Sequence, residues 1–289
     1  LFESLPPRSP LPTGTPPRLA RLRDIRAVLF DIYGTLLISA SGDIDLVDVP
    51  ADNLLTACDE CGIDLTPRSR TNGQHLIDLM RAVVKEDHAA ARANGIDYPE
   101  VDIRAIWRAV LDQAAAEGRL RPSAGIDTAR LALGFEVRGN PVYPMPGLRE
   151  TLRHLADRLP LGVISNAQFY TPLILHFFLN GSIQDNPAVP PFRPDLSIYS
   201  YQEGRGKPGT ALYEKTAAQL GSIGLSPNQT LYVGNDMRND IAPAAKTGFR
   251  TALFAGDRRS LRLREDMPEI TGIKPDLIIT ALPQILECV

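Results

Sequence analysis

A chain of 289 residues is long enough for one large domain or two modest ones, with a sizeable buried core. Hydrophobic residues make up 44% and charged residues 22%, and a net charge of −3 leaves no global basic field for nucleic acid. No run approaches the roughly 18 consecutive apolar residues that a membrane span needs.

Residues 1–24 are rich in Pro, lack an apolar core segment and read as an extended or disordered leader rather than a secretory signal. A first strand is predicted over 27–31. From about 51 to 134 there is almost no strand signal. Instead Ala, Leu, Arg, Glu and Asp recur at helical spacing, as over 77–84. A direct crossover needs far fewer residues, so 46–140 is expected to be an inserted, mainly helical cap. It is entered near 44–50 and left through a stiff hinge carrying Pro141, Pro144 and Pro146.

Cys58 and Cys61 form a C-x-x-C pair inside the cap. No second Cys or His pair lies at zinc spacing, so both read as core filling in a reducing cytoplasm. Helical patterns over 147–158, 209–220 and 240–247 then alternate with strand-like runs at 161–165, 196–200, 231–234, 251–254 and 276–280. Most of these runs are continuously apolar, as in strands covered on both faces. The fold class is therefore α/β, a parallel sheet built from 25–45 and 141–289 with the cap inserted.

Ligands of a parallel α/β sheet bind beyond the carboxyl ends of its strands, and the polar residues gather there. The first strand runs into Asp31-Ile32-Tyr33-Gly34-Thr35-Leu36, the second ends in Ser165-Asn166, and the third leads to Gly204-Arg205-Gly206-Lys207-Pro208. The fourth ends in Gly234-Asn235-Asp236-Met237-Arg238-Asn239-Asp240. Asp31 can act as a carboxylate nucleophile, splitting one hard displacement into two easier ones. Ser165, Asn166 and Thr35 offer hydroxyl and amide groups to substrate oxygens. Lys207 supplies a point positive charge. Asp236 and Asp240 can join Asp31 in an oxygen-rich cage of the kind that suits magnesium.

These four segments, in this order, resemble the haloacid dehalogenase-like hydrolase superfamily, and the resemblance runs from about 26 to 280. It implies a Rossmann-like core, an aspartyl-ester intermediate on Asp31, and a cap that closes over the strand ends. It also implies Mg2+ held by Asp31, the Tyr33 carbonyl, Asp236 and Asp240. Phosphatases of the superfamily carry a second Asp two positions after the nucleophile, where this chain has Tyr33. A phenol is a poor general base at neutral pH, and Asp-x-Tyr-Gly-Thr-Leu looks like the metal-independent haloacid dehalogenases. The fourth segment looks instead like the magnesium-dependent phosphatases, although Asn235 stands where Asp is commonest. The dehalogenases' arginine after the first motif is missing, since 37–48 contains none. Lys85-Glu86-Asp87-His88 resembles the Lys-x-x-His stretch of phosphonate-cleaving relatives.

The expected function is magnesium-dependent hydrolysis of a small phosphorylated metabolite. The alternatives are metal-independent 2-haloacid hydrolysis and a weakened core that binds a phosphorylated ligand or a partner protein. The expected partner is a small anionic substrate, with no nucleic acid and no membrane, on a cytoplasmic monomer or homodimer.

Overall fold

The computed structural model describes residues 7–39, 50–121, 125–183 and 188–289. The chain divides into two compact units, one built on 43–141 and the other on 5–42 with 142–289. Apart from residue 50, the predicted start of the insert at 44–50 lies outside the described residues, as do residues 1–6 of the leader.

Residues 7–24 contain no helix, yet they are tied down. The Thr13 hydroxyl donates to the Ala255 carbonyl at 2.9 Å, and Leu22 N–H donates to the Cys288 carbonyl at 2.8 Å. Arg18 exchanges two backbone hydrogen bonds with Ile278, at 2.8 and 3.0 Å. A sequence without apolar periodicity thus satisfies its backbone against the second unit. Next comes β1 (Ala27–Phe30), every residue of which is buried, and then the short β2 (Leu37–Ser39).

The first unit is helical. It comprises α1 (Ala51–Glu60), α2 (Arg70–Ala93), α3 (Ile103–Ala116) and α4 (Thr128–Gly139). Ser69, Asp102 and Asp127 cap α2, α3 and α4, each side chain accepting a backbone N–H of the first turn. α1 and α3 each pack against both α2 and α4. Trp107 of α3 is wholly buried among them, edge-on to Phe135 of α4 with ring centroids 5.6 Å apart. Cys58 is buried and Cys61 half-buried at the end of α1. Both are free thiols, and burial pushes the Cys58 thiol up to about 12. Lys85 is exposed on α2. It lacks the desolvation that would turn a lysine into a nucleophile.

The second unit continues with β3 (Val142–Pro144), α5 (Leu148–Ala156), β4 (Leu161–Ser165), α6 (Tyr170–Asn180), β5 (Phe192–Tyr199) and α7 (Ser200–Glu203). It ends with α8 (Ala211–Ser222), β6 (Thr230–Gly234), α9 (Ala242–Lys246), β7 (Arg250–Phe254), β8 (Leu277–Ile279) and α10 (Ile285–Cys288). One turn of π-helix, Met237–Ile241, joins β6 to α9. Six strands form one parallel sheet in the order β5-β4-β1-β6-β7-β8, giving an α/β Rossmann-like core.

Two departures from the sequence reading stand out. β5 begins at Phe192 rather than at 196, because Phe192 pairs with Leu161 across an irregularity in the register. Residues 141–146, read as a hinge, contain β3, which pairs antiparallel with β2 (Leu37 opposite Pro144, Ser39 opposite Val142). Strands of three residues show no periodicity, so only the fold reveals them.

Chain order reverses at β1. β4 and β5 lie on one side of it and β6 to β8 on the other, and this reversal opens a crevice at the carboxyl ends of the strands. Phe30 is level with Val163 and Val233, so Asp31, Ser165 and Gly234 emerge on one edge of the sheet. No helix among the described residues is long and apolar enough to cross a membrane.

Candidate active site

Asp31 is the first residue beyond β1, and its N–H still bonds to the Val233 carbonyl at 2.9 Å. The chain then turns sharply, with the Ile32 carbonyl accepting from the N–H groups of Thr35, Leu36 and Leu37. Gly34 makes the turn possible. Its φ is +83°, and a Cβ there would stand 2.5 Å from the Cβ of Ser260.

Asp31 Oδ1 accepts from Ser165 Oγ at 2.9 Å and from Lys207 Nζ at 2.7 Å. Among the described residues Oδ2 accepts no hydrogen bond. Lys207 Nζ also donates to Asp240 Oδ1 at 2.6 Å and to the Tyr232 hydroxyl at 3.2 Å. The side chains of Lys207, Asp31 and Asp240 are 4%, 7% and 2% exposed, so one buried cation is shared by two buried carboxylates. Burial pushes the ammonium pKa down, but attraction to Asp240 and then Asp31 outweighs it and the net shift is upward. Burial raises Asp240 above the usual carboxylate range, and Lys207 opposes that rise only in part.

Asn166 positions the lysine by a two-point clasp. Its Oδ1 accepts Lys207 N–H at 2.7 Å, and its Nδ2 donates to the Lys207 carbonyl at 3.1 Å. Asp240 is held still more completely. Oδ1 accepts from Lys207 and from Tyr232 Oη at 3.0 Å, and Oδ2 accepts from the N–H groups of Asn235 (3.0 Å) and Asp236 (2.9 Å). Gly234 allows this approach, since a Cβ there would stand 2.4 Å from Asp240 Cγ.

The structure therefore brings Asp31, Ser165, Lys207 and Asp240 into one hydrogen-bonded network, with Asn166 behind Lys207. Thr35 is buried and donates to Asn235 Oδ1 at 3.0 Å, tying the first segment to the fourth. The Tyr33 hydroxyl meets Thr171 Oγ1 at 2.9 Å, a partner with no acid–base capacity near neutral pH.

Of the magnesium cage drawn from Asp31, Tyr33, Asp236 and Asp240, the two later carboxylates already have protein partners. Asp236 caps the π-helical turn, accepting N–H of Arg238 (2.8 Å) and Asn239 (3.1 Å), and its Oδ2 pairs with Arg264 at 2.8 Å. Asp240 spends both oxygens as just described. Among the described residues no three His, Cys, Asp or Glu side chains converge as ligands. Among the described residues Asp31 Oδ2 is left as the one carboxylate oxygen of this set without a hydrogen bond, and a magnesium ion bound through one carboxylate would keep most of its waters.

Sequence reasoning missed four contributors. Tyr232 lies in an apolar strand and reads as packing, although a buried tyrosine hydroxyl usually takes a partner. Arg264, Ser260 and Thr171 come from segments distant in sequence, with no motif to mark them.

A parallel sheet with a topological switch point, polar residues gathered on its carboxyl edge and a helical insertion defines an α/β, Rossmann-like scaffold with an inserted helical unit. The sequence matches the haloacid dehalogenase-like hydrolase family over residues 25–248, and the chain belongs to that family. The 2-haloacid dehalogenase from Pseudomonas syringae pv. Tomato DC3000 superposes with a TM-score of 0.56 at 23% identity, covering 91% of this chain and 97% of that one. A HAD phosphatase from Thermococcus onnurineus (TM-score 0.49, 17% identity) covers the same shares of the two chains. So does the HAD-hydrolase YfnB from Bacillus subtilis, a structure with bound magnesium (TM-score 0.47, 17% identity). The first of these likenesses speaks for the fold alone. No curated protein matches the chain.

Proposed function

We propose that this chain hydrolyses a small anionic substrate through an ester on Asp31, that the leaving group departs without a proton, and that no divalent metal takes part. A 2-halocarboxylate meets all three conditions. The observation that carries the reading is the engagement of Asp236 by Arg264 and of Asp240 by Lys207 and Tyr232, together with Tyr33 in the place of an acid–base group.

Asp31 Oδ2, which is open, attacks the carbon. The O–C bond forms as the carbon–halogen bond breaks, and the halide leaves with the electron pair. Oδ1 then becomes the ester carbonyl oxygen, already held by Lys207 and Ser165. Water adds to Asp31 Cγ and gives up a proton to solvent, negative charge gathers on Oδ1, and those two donors stabilise it without rearrangement. Collapse breaks the Cγ–Oδ2 bond, and the departing alkoxide takes a proton from solvent to leave as the 2-hydroxy acid, while the oxygen from water stays on Asp31. Lys207 is shared by two carboxylates, so it offers little surplus charge to the substrate, and weak substrate binding follows.

Magnesium-dependent hydrolysis of a small phosphorylated metabolite is the second reading. The spacing of Gly234, Asn235, Asp236 and Asp240 and the open Asp31 Oδ2 favour it. One experiment separates the two: chloride release from 2-chloropropionate in a chelator, set beside phosphate release from p-nitrophenyl phosphate with and without magnesium, with Asp31→Asn as control. Chloride release that survives the chelator and vanishes in Asp31→Asn is expected. Magnesium-dependent phosphate release with no chloride release would sink the first reading in favour of the second.

A further inference from the structure

The amino edge of the sheet, opposite Asp31, carries a second concentration of charge. The chain entering β1 (21–26), the turn entering β6 (226–229) and the first residue of β7 meet there around an open cavity of about 640 Å³. That edge is separated from the Asp31 edge by the length of the strands, roughly 15 Å for four or five residues.

Arg21, Arg23 and Arg250 line the cavity, against one carboxylate, Asp24. Arg250 pairs with Asp276 at 2.6 Å. Arg21 and Arg23 form no ion pair among the described residues, and both are exposed. Asn228 and Gln229 complete the lining, and their oxygens are engaged. Asn228 Oδ1 (2.5 Å) and Gln229 Oε1 (3.0 Å) share the single Ser226 hydroxyl proton, and Gln229 Oε1 also accepts Ser226 N–H at 3.2 Å. Their amide N–H groups are the ends left for a ligand.

The lining loop is pinned at both ends. Leu22 N–H bonds to the Cys288 carbonyl at 2.8 Å and Arg26 N–H to the Gln229 carbonyl at 2.7 Å. Between them Asp24 adopts a left-handed φ of +61°. Aspartate tolerates this conformation in turns, so it holds the reversal without distorting the loop.

We propose that this cleft binds a small, multiply charged phosphate-bearing anion. Guanidinium forks match phosphate oxygens bidentately. The donors come from three chain segments, so they suit a tetrahedral oxyanion that presents acceptors in several directions better than a planar carboxylate. The cavity is within the usual range for a small-molecule site. In a chain of net charge −3, Arg21 and Arg23 stand together without an ion pair among the described residues, beside an Arg250 already paired with Asp276. The proposal is independent of the chemistry at Asp31.

The test is calorimetric titration of the full chain with inorganic pyrophosphate at low salt, beside an Arg21→Gln, Arg23→Gln double variant and beside citrate as a purely carboxylate anion. Both substituted residues are exposed, and matching urea midpoints confirm the double variant's fold. Saturable 1:1 binding by the wild type is expected, weakened about tenfold or more in the double variant and weaker for citrate. Absence of saturable binding, equal binding by the folded double variant, or citrate binding as tight as pyrophosphate would each overturn the proposal.

Discussion

Replacing Tyr232 with Phe tests whether the hydroxyl behind the lysine holds the network together. The ring is wholly buried and packed edge-on against Tyr213 at 5.1 Å, and phenylalanine keeps that packing. What disappears is one oxygen within 3.2 Å of Lys207 Nζ and 3.0 Å of both Asp240 Oδ1 and the Ile164 carbonyl. The hydroxyl has one proton, so at any moment it accepts from the ammonium and donates to one of the two oxygens. Deletion leaves one ammonium proton and one acceptor without a partner at a depth water does not reach. Hydrogen bonds to charged groups contribute about 1.5–3 kcal/mol, and that is the expected loss of stability. It corresponds to a fall in Tm of about 3–10 °C for a chain of this size. Urea unfolding followed by circular dichroism measures it. On an established substrate, kcat should fall about tenfold with KM little changed, because Lys207 is less firmly aimed at Asp31 Oδ1. A stability within about 0.5 kcal/mol of wild type, together with unchanged kcat, would refute the reasoning.

Four further outcomes are expected. Gly34→Ala forces a Cβ into the Ser260 side chain at a left-handed φ and should cost about 2–4 kcal/mol in urea titrations. Asp31→Asn should abolish the uptake of 18O from labelled water into residue 31 under single-turnover conditions, with the fold retained. Millimolar magnesium, compared with chelator, should move Tm by less than about 1 °C, since the carboxylates that would bind it are occupied. The last concerns pH. Burial, opposed in part by Lys207, raises Asp240 from the ordinary 3.8 to about 6, so between those values the folded chain binds a proton that the unfolded chain does not. That group's contribution to stability is full below the ordinary value and is lost as pH rises through 6. Urea midpoints of wild type should therefore decline relative to Asp240→Asn over that interval, and an upward trend would contradict the burial of the carboxylate.

Much of the core was legible because strands covered on both faces must be apolar runs, and 161–165 is the same strand in sequence and structure. The gathering of Asp31, Ser165 and Lys207 was legible for a related reason. In a parallel sheet, residues at successive strand ends share one edge. The direction in which Asp236 turns was not legible. It depends on a single turn of π-helix after β6 and on Arg264, 28 residues on, and neither leaves a trace in the spacing of acidic residues. The β2–β3 ribbon was hidden because Leu37–Ser39 and Val142–Pro144 are about a hundred residues apart and too short for a period. The leader concealed its attachment differently, since it is held by backbone bonds and by scattered side-chain contacts such as that of Thr13, neither of which leaves a periodic pattern.

The chain has one tryptophan, and Trp107 is buried in the helical unit beside Phe135. Intrinsic fluorescence excited at the red edge of protein absorption therefore reads the melting of those four helices and is blind to the sheet, whereas circular dichroism weighs both units. The helical unit thus carries its own optical signature, without any label. Coincident transitions in the two signals would mean that the units unfold as one, and separated transitions would give each its own stability.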